Sequence, residues 1–230
     1  MEFGGIQKLS CLDYPGLVAC TVFTAGCNFR CPFCHNAPLI AGSPPESIPE
    51  EEILAYLKKR QGMLEGVAIT GGEPLLHPGL AGFLEKVKAL GYKVKLDTNG
   101  SKPAFLRQLV EAGLVDKVAM DIKNSPNAYS ITVGIPNFDI TAVQESKAYL
   151  LTSPVDYEFR TTVVKGLHTK QSLLEAAQWI TGAKAWFLQC YQERDTVLAP
   201  ESLSSYTAEE LFGLLLAVQP YVPTVALRGI

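Results

Sequence analysis

Short β-branched and apolar runs alternate along the chain with longer stretches whose apolar positions recur every three or four residues. Leu17–Thr24 (LVACTVFT) is a continuous apolar run closed by Gly26, the pattern of a strand buried on both faces. Gly66–Thr70, Lys93–Asp97, Lys117–Asp121, Tyr157–Val164 and Ala185–Cys190 read in the same way. Helical spacing separates them. Pro49–Arg60 carries Ile53, Leu54 and Leu57, and Pro78–Leu90 carries Leu80, Phe83, Leu84 and Val87 before a stop at Gly91. Pro103–Ala112 stops at Gly113, and Asp139–Leu150, Lys170–Ile180 and Thr207–Ala217 complete the set, with Thr207 and Glu210 forming a capping box. Val222–Leu227 suits a short terminal strand.

Strands alternating with helices predict a parallel sheet wrapped by helices. A full eight-unit barrel takes about 250 residues. This chain has 230 and places 24 of them, Ala25–Ile48, between its first strand and the next helix. The better fit is an α/β fold of six units, a partial and laterally open (β/α)6 barrel, with an open doubly wound sheet as the alternative. One domain over residues 1–230 is expected, with an N-terminal segment 1–16, an enlarged loop 25–48 and a C-terminal helix and tail 199–230.

Composition narrows the function classes. Hydrophobic residues make up 47% of the chain and charged ones 19%, which excludes a disordered chain. Twenty basic residues against 23 acidic ones leave a net charge of -3, so no basic surplus is there to neutralise the phosphates of a nucleic acid. No apolar run reaches the roughly 18 residues of a membrane span, and the opening Met1-Glu2-Phe3-Gly4-Gly5 lacks the features of a secretory leader. The chain therefore reads as cytoplasmic, and its six cysteines as thiols or metal ligands before disulfides.

The enlarged loop holds the strongest chemical signal, Cys27-Asn-Phe-Arg-Cys31-Pro-Phe-Cys34-His35, directly after the C-terminal end of the first strand. Sites in parallel barrels are built at that end. Thiolates are soft ligands for zinc or iron–sulfur clusters. Structural zinc wants a fourth protein ligand, which His35 could supply only by turning inward beside Cys34. Three cysteines on a four-iron cluster instead leave one iron open to a ligand. Three buried structural thiols are the blandest reading, and Gly26, Asn28, Pro32 and Asn36 argue against the regular element that would bury them.

The Cys-x3-Cys-x2-Cys loop, with Phe33 before the last cysteine, resembles the radical S-adenosylmethionine (SAM) enzymes. Gly71-Gly72-Glu73-Pro74 follows the second predicted strand, where that family carries its Gly-Gly-Glu motif. Asp97-Thr98-Asn99-Gly100 and Asp121-Ile122-Lys123 end the next two strands and are similar to segments of the activating enzymes of glycyl-radical enzymes. The opening Ile6-Gln7-Lys8 to Asp13-Tyr14-Pro15-Gly16 looks like anaerobic ribonucleoside-triphosphate reductase activating proteins. The resemblance runs over residues 3 to about 190.

It implies a [4Fe-4S] cluster on Cys27, Cys31 and Cys34, SAM on the open iron, and reductive cleavage to methionine and a 5′-deoxyadenosyl radical. Gly71 and Gly72 would let backbone approach the SAM ammonium, with Glu73 adding negative charge. Asp97, Thr98 and Asn99 belong to the same cofactor surface, and a monovalent cation near Asp97 and Asp121 is implied. Lys123 could pair with the SAM carboxylate. Arg160 is placed near the SAM ribose and carboxylate, against a structural pair with Glu158 or Asp156. Gln189 is a weaker adenosine contact, and Phe33 and His35 flank the last cysteine as an adenine-facing pair. Cys11, Cys20 and Cys190 read as bland, and His77 and His168 as surface or turn residues.

The implied activity is generation of a glycyl radical on a large partner enzyme, anaerobic ribonucleotide reductase first, with a flavodoxin- or ferredoxin-type electron donor. Pyruvate formate-lyase activation is the near alternative, and a small-molecule enzyme acting on a pterin-derived substrate the more distant one. A zinc-binding scaffold leaves Gly71-Gly72-Glu73 and the strand-end charges unexplained.

Overall fold

All six expected strands form in the computed structural model, which describes residues 1–40 and 47–230. Residues 41–46, inside the expected loop 25–48, lie outside the described residues. The chain divides into two units. The first comprises Met1–Asn28, Pro38–Ala119 and Pro154–Asp156, and the second Phe29–Ala37, Met120–Ser153 and Tyr157–Ile230.

The first unit holds, in chain order, β1 (Glu2–Phe3), β2 (Gly5–Ser10), β3 (Ala19–Thr24), most of the single-turn α1 (Ala37–Ile40), β4 (Ile48–Pro49), α2 (Glu50–Lys59), β5 (Gly66–Gly71), α3 (Leu80–Ala89), β6 (Lys93–Thr98), α4 (Pro103–Glu111) and the start of β7 (Lys117–Asp121). Its sheet runs β2-β3-β5-β6, with β3, β5 and β6 parallel and β2 antiparallel to β3. β1 and β4 pair antiparallel in a separate ribbon. Val22, Val67, Ile69, Val94 and Leu96 are fully buried, as are Leu57, Leu80, Phe83, Leu84 and Val87 of α2 and α3. Each such side chain stabilises the fold by about 1.5–3 kcal/mol relative to exposure. β2 escapes a pattern search because Gln7, Lys8 and Leu9 are exposed in succession, so no alternation marks it. Only its ladder with β3 makes it a strand.

The second unit takes the end of β7, then α5 (Tyr129–Val133), α6 (Thr141–Thr152), β8 (Asp156–Val163, from its second residue), α7 (Lys170–Trp179), β9 (Trp186–Cys190), α8 (Ala208–Val218) and β10 (Val225–Arg228). β8, β9 and β10 are parallel and consecutive. β10 is the expected terminal strand, started three residues later than Val222 because that residue and Pro223 lie in the turn after α8. The Thr207 capping box forms: Thr207 Oγ1 accepts from Glu210 N–H at 3.2 Å and Glu210 Oε2 accepts from Thr207 N–H at 2.8 Å.

Between β9 and α8 the chain does more than the expected tail. Leu198 N–H donates to Cys34 O (3.1 Å) and Ala199 N–H to Pro32 O (2.9 Å), so this segment straps the cysteine loop. Lys165 and Ser204 exchange backbone hydrogen bonds, anchoring the strap to the loop after β8. Among the described residues no helix is long and apolar enough to cross a membrane.

Candidate active site

In the first unit the site is assembled around Gly71-Gly72-Glu73, at the end of β5. Gly72 N–H donates to Thr24 O (2.9 Å) and Glu73 N–H to Gly26 O (2.8 Å), which lays this turn directly against the start of the cysteine loop. A Cβ on Gly72 would stand 1.9 Å from Gly26 O, and one on Gly71, whose φ is +115°, 2.4 Å from the Thr24 backbone. Both glycines are therefore required by a backbone-to-backbone approach inside the protein. That requirement was not visible in the motif.

Glu73 is buried, and its carboxylate is a hub. Oε1 accepts from Leu75 N–H (3.0 Å) and Thr98 Oγ1 (2.8 Å), and Oε2 accepts from Asn99 N–H (2.7 Å). A buried carboxylate is tolerated when such donors satisfy it. It ties the end of β6 to the end of β5. Asn99 extends the network: its Nδ2 donates to Asn28 Oδ1 (2.9 Å) and points to Cys27 Sγ at 3.9 Å, while Asn28 Nδ2 donates to Ser101 Oγ (2.9 Å). Cys27 thus starts its loop from a surface fixed by Glu73, Asn99 and Asn28. Thr98 is spent within this network, accepting also from Gly100 N–H at 3.1 Å.

Asp97 pairs with Lys95 at 2.5 Å, and Lys95 is only 2% exposed. Sequence reading missed Lys95, although Lys95 and Asp97 are two apart in a strand and so share a face.

In the second unit Asp121, at the end of β7, receives two cations. Lys123 Nζ lies 2.8 Å from Oδ2, and Arg160 Nε and Nη2 lie 3.1 and 3.0 Å from Oδ1. Burial would raise the Asp121 pKa, but Lys123 and Arg160 outweigh it and hold the carboxyl below its usual range. Burial would likewise lower the Lys123 ammonium, and Asp121, with Cys31 next, turns the shift upward. Arg160 thus meets Asp121, and the structural partners weighed for it have cations of their own. Glu158 is taken bidentately by Arg228 (2.5 and 3.1 Å), and Asp156 pairs with Lys117 (2.9 Å). With Lys95 beside Asp97, and Lys123 and Arg160 beside Asp121, each carboxylate has a counter-charge of its own.

Phe33 is buried with Lys123 Nζ 5.9 Å from its ring centroid, and Cys34 N–H donates to Cys31 O (3.0 Å), closing a turn between the last two cysteines. His35 lies against Tyr191 with ring centroids 5.6 Å apart. His35 Nε2 and the Tyr191 hydroxyl are both buried without a hydrogen-bond partner among the described residues. Burial, then the Arg194 charge, lowers the His35 pKa. Tyr191 carried no sequence signal beyond following β9. Gln189 is half-buried on β9, in register with Thr162 and Arg228.

The remaining cysteines behave as expected. Cys11 is exposed, Cys190 half-buried, and Cys20 fully buried with its thiol pushed up to about 12 by burial. His77 holds a turn through Nε2 and Ala25 O at 2.8 Å. Of the surface or turn role expected for His168, the turn role holds, with His168 N–H donating to Val164 O at 2.9 Å. The surface role is corrected, for the residue is 1% exposed and burial lowers its pKa to about 4. An unfolded histidine titrates near 6.5, so the unfolded chain takes up this proton first as pH falls. The stability tied to neutral His168 is complete above about pH 6.5 and should be lost progressively toward pH 4, by about 3 kcal/mol. Denaturant titrations at several pH values check this, and a flat stability between pH 6.5 and 4.5 would contradict it.

A second expectation concerns Asp121→Ala. It removes the carboxylate that Lys123 and Arg160 share, and with their side chains 17% and 14% exposed the unfolding free energy should drop by about 3 kcal/mol. Asp121→Asn, which keeps the shape and one acceptor, should cost less in the same urea titration.

A cluster and SAM fit the residues present. The loop offers three thiols free of disulfides and chemically soft. The two orphaned polar atoms of His35 and Tyr191 beside the last cysteine suit a polar ligand. Among the described residues, no group of three or more His, Cys, Asp or Glu side chains is placed to hold a single metal ion.

Comparison with known proteins agrees. The profile of the Radical SAM superfamily matches residues 21–142, more than half of the chain. A Methanocaldococcus jannaschii protein assigned by name to the glycyl-radical enzyme activating enzymes is 27% identical over 98% of this chain and 95% of its own length. The 7-carboxy-7-deazaguanine synthase of Koribacter versatilis is 27% identical over 91% of this chain and 89% of its own. The crystal structure of Streptococcus suis SuiB bound to its precursor peptide superposes with a TM-score of 0.73 at 15% identity, covering 91% of this chain and 48% of SuiB. The fold is thus the α/β, largely parallel partial barrel of these enzymes. Loop, Gly-Gly-Glu turn and profile converge on one family, and the chain belongs to the radical SAM superfamily of [4Fe-4S]- and SAM-dependent enzymes.

Proposed function

We propose that this radical SAM enzyme is the activating enzyme of a glycyl-radical enzyme, and that its partner is an anaerobic ribonucleoside-triphosphate reductase. The observation that carries the activating role is the end-to-end match to the Methanocaldococcus jannaschii protein, 98% of this chain against 95% of that one. The segments Asp97-Thr98-Asn99 and Asp121-Ile122-Lys123, both at strand ends, support it.

When bound, the cluster on Cys27, Cys31 and Cys34 together with SAM supplies a hydrogen-abstracting radical. The chain's own residues bind and orient. Asp121, Lys123 and Arg160 sum to one net positive charge, which suits the carboxylate of SAM. Glu73 and Asn99 hold the end of β6 and the root of Cys27 in register. Phe33, His35 and Tyr191 offer aromatic faces and two polar atoms to an adenosine group. A cytoplasmic protein drawing electrons from a flavodoxin- or ferredoxin-type donor completes the reading.

The match to a 7-carboxy-7-deazaguanine synthase over 91% of the chain favours a second reading, a small-molecule enzyme with a pterin-derived substrate. The two separate by incubation with SAM, reductant and purified candidate partners under anaerobic conditions. The proposal expects a glycyl radical on the anaerobic ribonucleotide reductase and none on pyruvate formate-lyase. A radical on pyruvate formate-lyase alone would reassign the partner, and turnover of a pterin-derived molecule with no protein radical would replace the activating role.

A further inference from the structure

His168, one of three histidines in the chain, lies in the loop between β8 and α7 and uses both ring nitrogens. Nδ1 accepts from Val164 N–H at 3.1 Å, and Nε2 lies 2.7 Å from Lys123 O. A ring nitrogen that accepts an amide proton carries none of its own, so Nε2 is the protonated one and donates to Lys123 O. The ring stands edge-on to Phe33 at 6.3 Å, and the His168 carbonyl accepts from the Tyr206 hydroxyl at 2.6 Å. One neutral side chain therefore touches the main chain of Lys123 and the aromatic ring between the last two cysteines, and the carbonyl of the same residue holds the end of the strap.

Lys123 lies two residues beyond β7, where the strand ladder has ended. Its main chain is held by His168 at the carbonyl and by Tyr129, whose hydroxyl accepts the Lys123 N–H at 3.3 Å. A four-carbon stem carries the ammonium, so a small shift of that main chain moves the charge away from Asp121 and from any ligand carboxylate. We propose that His168 is a positioning residue for SAM: its Nε2–H fixes the Lys123 main chain and its ring backs Phe33, which sets the Lys123 ammonium for the SAM carboxylate. This rests on the reading that Lys123 contacts SAM.

The test uses two conservative variants that each keep one of the two hydrogen bonds. His168→Gln carries a donor near the Nε2 position, and His168→Asn carries an acceptor near Nδ1. In the cluster-reconstituted protein, SAM binding by equilibrium dialysis should weaken roughly tenfold in His168→Asn and stay within about threefold of the parent in His168→Gln. In a Lys123→Met background, adding His168→Asn should change the affinity no further. Equal affinities for both histidine variants, with only thermal stability lowered, would show a structural role and overturn the proposal. An unchanged affinity in Lys123→Met itself would instead remove the underlying reading, and the proposal with it. Should both histidine variants fail to fold, 15N-histidine spectra of the parent chain decide. The Nε2–H tautomer of His168 is expected from pH 5 to 8, and an Nδ1–H tautomer would exclude the contact to Lys123.

Discussion

Replacing any one of Cys27, Cys31 or Cys34 by Ala is expected to abolish SAM cleavage and to strip the iron from anaerobically reconstituted protein. The loss should be complete because a three-thiolate cradle has no spare ligand. Cys34 abuts His35, whose Nε2 is buried without a partner in the described residues, and Cys20 and Cys190 lie within or at the end of strands β3 and β9. Folding should survive these changes better than function. The loop is also held by contacts that do not involve the thiols, namely Arg30 N–H to Val133 O at 2.9 Å and the strap at Pro32 and Cys34. Cys20→Ala is the internal control. It truncates a buried side chain in β3 and should cost roughly 1 kcal/mol of stability while leaving iron content and cleavage intact. Iron analysis and quantified 5′-deoxyadenosine check both halves.

Gly72→Ala is the second large effect. The added methyl meets Gly26 O at 1.9 Å, and both the turn and the loop root are backbone, so neither can rotate away as a side chain would. Relief requires breaking the Gly72–Thr24 or Glu73–Gly26 hydrogen bonds, and with them the seat of the Glu73 carboxylate under Thr98 and Asn99. A loss of about 3 kcal/mol or more is expected, at the upper end of single substitutions. SAM cleavage should fall further than stability because the root of Cys27 shifts. A Gly72→Ala protein with the parent's melting temperature and cleavage rate would contradict the close approach.

Both expectations draw on what the sequence made legible and on what it did not. The six core strands were readable because each is a short, largely apolar run, β-branched in all but the Ala185–Cys190 strand, a pattern that survives without any neighbour. β2 was not, since three consecutive exposed residues give no period and only pairing with β3 defines it. The cysteines, Gly71-Gly72-Glu73 and the strand-end charges stood out by spacing and by position after strands. Their partners did not. For Arg160, placed near the SAM ribose and carboxylate, the structural partners weighed were Glu158 and Asp156, its neighbours in sequence, whereas the fold brings it to Asp121, 39 residues away. His168 was read only as a surface or turn residue, and Tyr191 was overlooked, for a related reason. Each takes its meaning from contacts across 45 and about 156 residues, to Lys123 and His35, that no local window holds.

The central claim is that this chain, charged with a cluster on Cys27, Cys31 and Cys34, takes hydrogen from a glycine of a protein partner. The direct measurement is anaerobic incubation with SAM, reductant and an anaerobic ribonucleotide reductase carrying deuterated glycine, followed by mass spectrometry of 5′-deoxyadenosine and electron paramagnetic resonance of the partner. Deuterium in 5′-deoxyadenosine together with a glycyl radical on the partner is the predicted result. Cleavage of SAM with no deuterium transferred and no protein radical would contradict it.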